Sequence, residues 1–66
     1  MIRLELERRK RGLTQKQLGR KVLYSRHAIS KLERERPEPQ QVGIRLKAAI
    51  EGFFGLSLSE LFSEVE

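Results

Sequence analysis

The sequence predicts an all-α fold, a compact domain of five short helices. Three observations carry this. Apolar residues recur at helical spacing, most clearly Val42, Leu46, Ala49, Ile50, Phe53 and Phe54. Two capping boxes, Thr14 with Gln17 and Ser57 with Glu60, mark helix starts. Each is flanked by a pair placed to close as a hydrophobic staple, Leu13 with Leu18 and Leu56 with Leu61. Gly12, Pro37, Pro39 and Gly55 punctuate the chain between the periodic stretches.

The first helix is expected over Ile2 to Arg11. Glu5 with Arg9 and Glu7 with Arg11 are acid-before-base pairs four residues apart, each worth a few tenths of a kcal/mol on a helix. Alternation of Ile2, Leu4 and Leu6 with polar residues would also suit a strand. The Arg8-Arg9-Lys10-Arg11 run has poor strand character, and Gly12 is a natural helix stop, so helix is preferred. The second helix runs from Gln15 to Val22, with Leu18 and Val22 one turn apart on its inner face. Gly19 in its middle costs about 1 kcal/mol against alanine, a cost that a close crossing by the next helix would justify. The third helix runs from Arg26 to Arg34. Ser25 caps it, and Tyr24 and Ile29 are its staple pair. It buries Ala28, Ile29 and Leu32 and turns Arg26, His27, Ser30, Lys31 and Arg34 outward. Pro37 and Pro39 end it and stiffen Glu35-Arg-Pro-Glu-Pro. The fourth helix is expected from near Gln40 to Phe54, with Gly55 as its C-cap, and the fifth from Leu58 to Ser63. The tail Phe62-Ser-Glu-Val-Glu is too short to assign. There is no internal repeat, low-complexity tract or domain boundary, so residues 1–66 form one domain.

A chain of 66 residues buries a modest fraction of its surface and has small intrinsic stability. With no Cys, disulfides and thiolate metal sites are excluded. The net charge is +5 and is unevenly placed. Residues 1–34 hold 11 Lys or Arg against 3 Glu, a balance of +8; residues 35–66 hold 3 against 6, a balance of −3. The first half therefore carries the electrostatic footprint of a partner for a polyanion. Two short helices at a fixed angle, the second with a basic, hydrogen-bonding outer face, suit the DNA major groove. No apolar run approaches the roughly 20 residues of a membrane span. The start, Met-Ile-Arg-Leu-Glu, lacks the uninterrupted apolar core of a signal peptide, so the expected location is cytoplasmic.

The chain resembles the lambda-repressor-like, Cro/C1-type (Xre) helix-turn-helix family. The resemblance rests on Arg8, then Gly12-Leu13-Thr14-Gln15 and Leu18, then Ser25-Arg26, Ile29-Ser30-Lys31-Leu32-Glu33 and Pro39, and on Gly55-Leu56-Ser57-Leu58-Ser59-Glu60-Leu61-Phe62. It places the helix-turn-helix at about residues 15–34. Departures are Gly19 where the family has Ala, Leu23 where the turn usually has Gly, and Arg34-Glu35 where it has Asn-Gly. The fourth helix also looks about two residues longer than the family's. A Leu enters a left-handed turn only with strain.

The resemblance implies a sequence-specific regulator of transcription, a repressor whose third helix lies in the major groove of double-stranded DNA. Arg26, His27 and Lys31 match the base-facing positions, with Ser30 beside them; Arg and Lys donate to guanine O6 and N7. Gln15 is implied to meet a backbone phosphate and to orient the first base-contacting side chain. Lys16, Ser25, Arg34 and Arg36 are further phosphate candidates, which hold register and carry little sequence information. Arg8 and Glu33 are implied to pair internally. Family members usually bind a pseudo-palindrome as a homodimer. Phe53, Phe54, Leu58, Phe62 and Val65 are the dimer-face candidates; the alternative is that this apolar surface all packs internally.

Catalysis is disfavoured. With no Asp or Cys and one His, the usual nucleophile triads cannot be assembled, and no Gly-rich phosphate loop follows a strand. No metal site, cofactor or small-molecule site is expected, because one His without Cys or a carboxylate cluster is a poor ligand set. RNA binding is disfavoured because the lone Tyr24 is claimed by a staple. Two rivals to the regulator remain: an antitoxin or accessory subunit that binds a protein partner through the same fold, and an interaction module that has lost DNA binding. The basic first half argues against the second.

Overall fold

In the computed structural model, which describes residues 1–65, the helices are α1 (Arg3–Lys10), α2 (Gln15–Val22), α3 (Arg26–Glu35), α4 (Ile44–Phe54) and α5 (Leu58–Leu61), with a 3-10 turn at Pro39–Gln41. Their starts follow the local chemistry. Thr14 Oγ1 accepts from Gln17 N at 3.0 Å while Gln17 Oε1 accepts from Thr14 N at 2.9 Å. Ser25 Oγ accepts from Ala28 N, and Ser57 and Glu60 reciprocate as Thr14 and Gln17 do. Leu13, Tyr24 and Leu56, which precede these caps, are half-buried against the core that holds Leu18, Ile29 and Leu61.

Several boundaries differ from the sequence expectation. The fourth helix begins at Ile44, not Gln40. Pro39 opens only a short 3-10 turn, and Val42 is extended (φ −83°, ψ 133°), which places its side chain in the core ahead of Gly43, the N-cap of the helix. The last helix stops at Leu61 rather than Ser63, and the first starts at Arg3 rather than Ile2. One cause accounts for both. The two ends of the chain pair with each other: Ile2 bridges antiparallel to Glu64, Arg3 N donates to Ser63 O (2.9 Å) and Val65 N donates to Met1 O (2.9 Å). The strand-like alternation at Ile2 thus serves a single bridge. The third helix runs on to Glu35, and Arg36 takes the left-handed cap (φ 48°).

Each helix sends one or two large apolar side chains to a common centre. Leu4, Leu18, Ile29, Ile50, Leu58 and Leu61 are completely buried, and each such burial is worth about 1.5–3 kcal/mol. Phe54 and Leu58 belong to this core. They are therefore withdrawn from the dimer-face candidates: the closing turn at Gly55 and the Glu51 carboxylate, which accepts from Leu58 N at 2.8 Å, fold α5 back onto α4. Phe53, Phe62 and Val65 are half-buried.

Glu7 ties α1 to α4. Arg11 donates to its carboxylate (2.8 Å) and places its guanidinium over the Phe54 ring, 4.9 Å from the centroid. Arg3 and Lys10 stand 3.5 and 3.7 Å from the other carboxylate oxygen. The hydrogen bond from Arg11 holds the Glu7 carboxyl below the ordinary carboxylate pKa, against an opposing contribution from burial; the charge of Lys10 and the hydrogen bond from Arg3 add to the lowering. A pKa lowered on folding adds stability that is complete above the unfolded carboxylate's pKa and is lost as pH falls through the folded value. Glu7→Gln is therefore expected to lower the urea midpoint at neutral pH and to approach the parent as the pH falls far enough to protonate Glu7 in the folded protein. A difference that persists unchanged in acid would rule out the ionic origin.

Leu23 closes α2 in the left-handed conformation (φ 65°, ψ 38°) with its side chain 89 % exposed. The chain thus makes a left-handed turn without a glycine, at a conformational cost of about 1–2 kcal/mol. Leu23→Gly relieves this but loosens the unfolded chain, so a net stabilisation of about 0.5–1 kcal/mol is expected. Thermal melting checks it; a lower midpoint would show that the exposed leucine has a partner in the folded state.

Candidate nucleic-acid interface

The two central helices pack on each other more extensively than any other pair of elements. Gly19 makes this possible. A Cβ there would lie 2.5 Å from the Tyr24 carbonyl oxygen and 3.3 Å from Arg26 N. Without it, the backbone of residues 24–26 settles directly on α2, and Tyr24 N donates to Gly19 O at 2.8 Å. The close partner is the turn and the first residue of α3.

α3 buries Ile29 and Leu32, half-buries Ala28 and Ser30, and exposes Arg26, His27, Lys31 and Arg34. Its inner edge carries a polar network. Arg8, on α1, donates Nε and Nη2 to the two carboxylate oxygens of Glu33 (2.7 and 3.1 Å) and Nη1 to Leu13 O (2.8 Å). The pair is nearly dry, with 9 % and 6 % of the two side chains exposed. Gln15 Nε2 donates to the same carboxylate at 3.0 Å. Sequence reasoning missed this bond. Gln15 opens α2 with its amide already held from α3, and the groups it leaves outward are its Oε1 and the backbone N–H groups of a helix start.

The structure also redraws the charge map. The five cations of α1 and its C-cap each stand against a carboxylate, though only three carboxylates serve them: Arg9 pairs with Glu5, Arg3, Lys10 and Arg11 share Glu7, and Arg8 meets Glu33. Arg34 pairs with Glu35 at 3.4 Å and Arg36 with Glu64 at 2.6 Å. By contrast Lys16, Arg20, Lys21, Arg26 and Lys31 have no carboxylate within ion-pair distance among the described residues, and the chain has no Asp or Glu between Glu7 and Glu33. The cations of the first 34 residues that stand without a carboxylate thus lie on α2 and α3. Arg20 was not singled out from sequence; a cation in mid-helix gives no signal until its surroundings are known. It shares a surface cleft with Lys16, Tyr24, Ser25 and Arg26. Of the phosphate candidates, Lys16 and Ser25 stand on this cleft, Gln15 lies on the Glu33 network, and Arg34 and Arg36 lie at the far end of α3.

Two apolar side chains that sequence reasoning did not select are the most exposed large ones: Leu23 and Ile44, at 89 % and 85 %. Among the described residues no group of His, Cys, Asp or Glu is placed to hold a metal ion, and no helix is long and apolar enough to cross a membrane.

Two short helices joined by a tight left-handed turn, the second exposing Arg26, His27, Lys31 and Arg34, define a helix-turn-helix protein. Residues 4–42, more than half of the chain, match the helix-turn-helix family model, and the chain belongs to the Cro/C1-type (Xre-like) helix-turn-helix family, whose members are DNA-binding regulators. No curated protein and no solved structure matches it.

Proposed function

We propose that this protein is a sequence-specific repressor of transcription that binds a pseudo-palindromic operator as a homodimer in the cytoplasm, with α3 in the major groove. The observation that carries this is the set of five cations on α2 and α3 without a carboxylate partner among the described residues, in the stretch 8–32 that contains no Asp or Glu. A protein that needed these charges only for solubility would gain from pairing them, as α1 does. His27, Ser30 and Lys31 face the base edges; Lys31 donates to guanine. Arg26 opens the same helix beside Lys16 and Arg20. Phe53, Phe62 and Val65, half-buried in the single chain, are the surface proposed to be covered in the dimer.

The test is selection of bound duplexes from a random pool, followed by titration of the winner at several salt concentrations. A palindromic consensus with half-sites about one helical turn apart, bound less tightly as salt rises, is the expected result. Lys31→Ala should then cost about 1–3 kcal/mol at the matched site and relax preference at one base pair of each half-site. Absence of any enriched sequence would remove the operator reading. The second reading, an accessory subunit with a protein partner, is favoured by the exposure of Leu23 and Ile44. In that case Leu23→Ser would abolish partner capture and leave the operator affinity intact.

A further inference from the structure

We infer that the cleft at the helix-turn-helix turn is a phosphate-binding site in which Lys16, Arg20 and Arg26 together hold one backbone phosphate, so that Arg26 clamps the strand and does not read a base. This departs from the base-reading role that the family resemblance implies for Arg26. That the phosphate comes from a duplex rests on the DNA-binding reading above.

The cleft has a volume of about 270 Å³ and is lined by Lys16, Arg20, Tyr24, Ser25 and Arg26. Its lining contains three cations, two hydroxyl-bearing residues and no carboxylate. Lys16 and Arg20 are four residues apart on one face of α2, a like-charge spacing that disfavours a helix. Arg26 faces them because Gly19 lets the backbone of residues 24–26 close onto α2. None of the three has an ion-pair partner among the described residues. Three converging cations around one concavity repel each other until an anion sits between them, and a phosphate oxygen takes several N–H donors at once. Two features suit the same ligand. The first N–H groups of α3 have no intrahelical acceptor and lie at the end of a helix that favours negative charge. The Ser25 hydroxyl oxygen accepts from Ala28 N, which leaves its hydrogen to donate outward. A guanidinium engaged in this way at the mouth of the groove is not available to a base edge deeper within it, and His27, Ser30 and Lys31 remain for sequence readout.

The experiment has two arms. In the first, Arg20→Gln, Arg26→Gln and, as the base-reading reference, Lys31→Gln are titrated in the full chain against the selected duplex and a shuffled duplex of equal length, across a range of salt. Arg20→Gln and Arg26→Gln should each weaken both duplexes by the same factor and reduce the salt slope by about 1. Their ratio of selected to shuffled binding should stay at the parent value, whereas Lys31→Gln lowers that ratio. If Arg26→Gln lowers the ratio as Lys31→Gln does, or Arg20→Gln leaves the slope unchanged, the inference is overturned. In the second arm the free protein is titrated with inorganic phosphate, against sodium chloride of equal ionic strength, and followed by amide and arginine Nε resonances. Shifts confined to Tyr24, Ser25, Arg26 and the side chains of Arg20 and Arg26 are expected, and should vanish in Arg20→Gln. No shift at these groups overturns the site. Phosphate shifts in a protein that enriches no duplex would uphold the cleft and overturn only the operator reading.

Discussion

Glu33→Ala is expected to cost about 3 kcal/mol of stability, at the lower end of the penalty for leaving one half of a buried ion pair without the other. The effect is large because three bonds end on this one carboxylate. Arg8 donates twice and Gln15 once, and Arg8 is also held by the Leu13 carbonyl. Removing the carboxylate leaves a guanidinium with 9 % of its side chain exposed and one remaining acceptor. It also frees the start of α2 from α3. In a domain of this size the loss should lower the thermal midpoint by roughly 15 °C. Arg8→Ala should cost a similar amount, because it strands the carboxylate instead. The double variant should cost clearly less than the sum of the two, since neither charge is then left buried alone. Thermal and urea unfolding of the three proteins check this; unchanged midpoints in Glu33→Ala would mean that water already satisfies the pair.

The second large effect is expected at a residue that carries no side chain at all. By helix propensity alone Gly19→Ala should stabilise α2 by about 1 kcal/mol. The tertiary structure reverses the sign. The new methyl group would stand 2.5 Å from a backbone carbonyl that cannot rotate away, because Tyr24 N is bonded to Gly19 O and Leu23 is already in a left-handed turn. A net loss of about 1–3 kcal/mol is expected, as for overpacking of a tight core. The variant should also bind any duplex more weakly than its stability loss explains, because pushing residues 24–26 off α2 separates Arg26 from Lys16 and Arg20. A rise in the urea midpoint would show that the turn can move aside freely, and would undo this account of the glycine at residue 19.

The contrast between these two residues shows where sequence reading succeeds and where it stops. Caps, staples and the outer face of α3 are legible because they depend on residues three or four apart: Thr14 with Gln17, Ser25 with Ala28, Ser57 with Glu60. The boundary at Gln40 was misplaced for the opposite reason. Val42 fits the periodicity of the helix that follows, but it reaches the core from an extended backbone, and only the position of the core selects between the two. The pairing of residues 1–3 with residues 63–65 spans nearly the whole chain and gives no local signal.

The same division runs through the site. Local pattern alone determined an all-helical domain, a helix-turn-helix near residues 15–34, and a basic, hydrogen-bonding face on its second helix, because helix periodicity and capping act over one or two turns of chain. Only the tertiary structure decided which charges are free. Glu33 is claimed by Arg8 across the packing of α1 against α3, and Arg11, held by Glu7, is drawn over the Phe54 ring of α4. It also decided that Phe54 and Leu58 belong to the core, and that Arg20 meets Arg26 across the cleft. Ion pairs within a helix follow spacing in sequence, as Glu5–Arg9 and Glu7–Arg11 do; pairs between helices, and burial, depend on distance in space and cannot be read before the helices are placed.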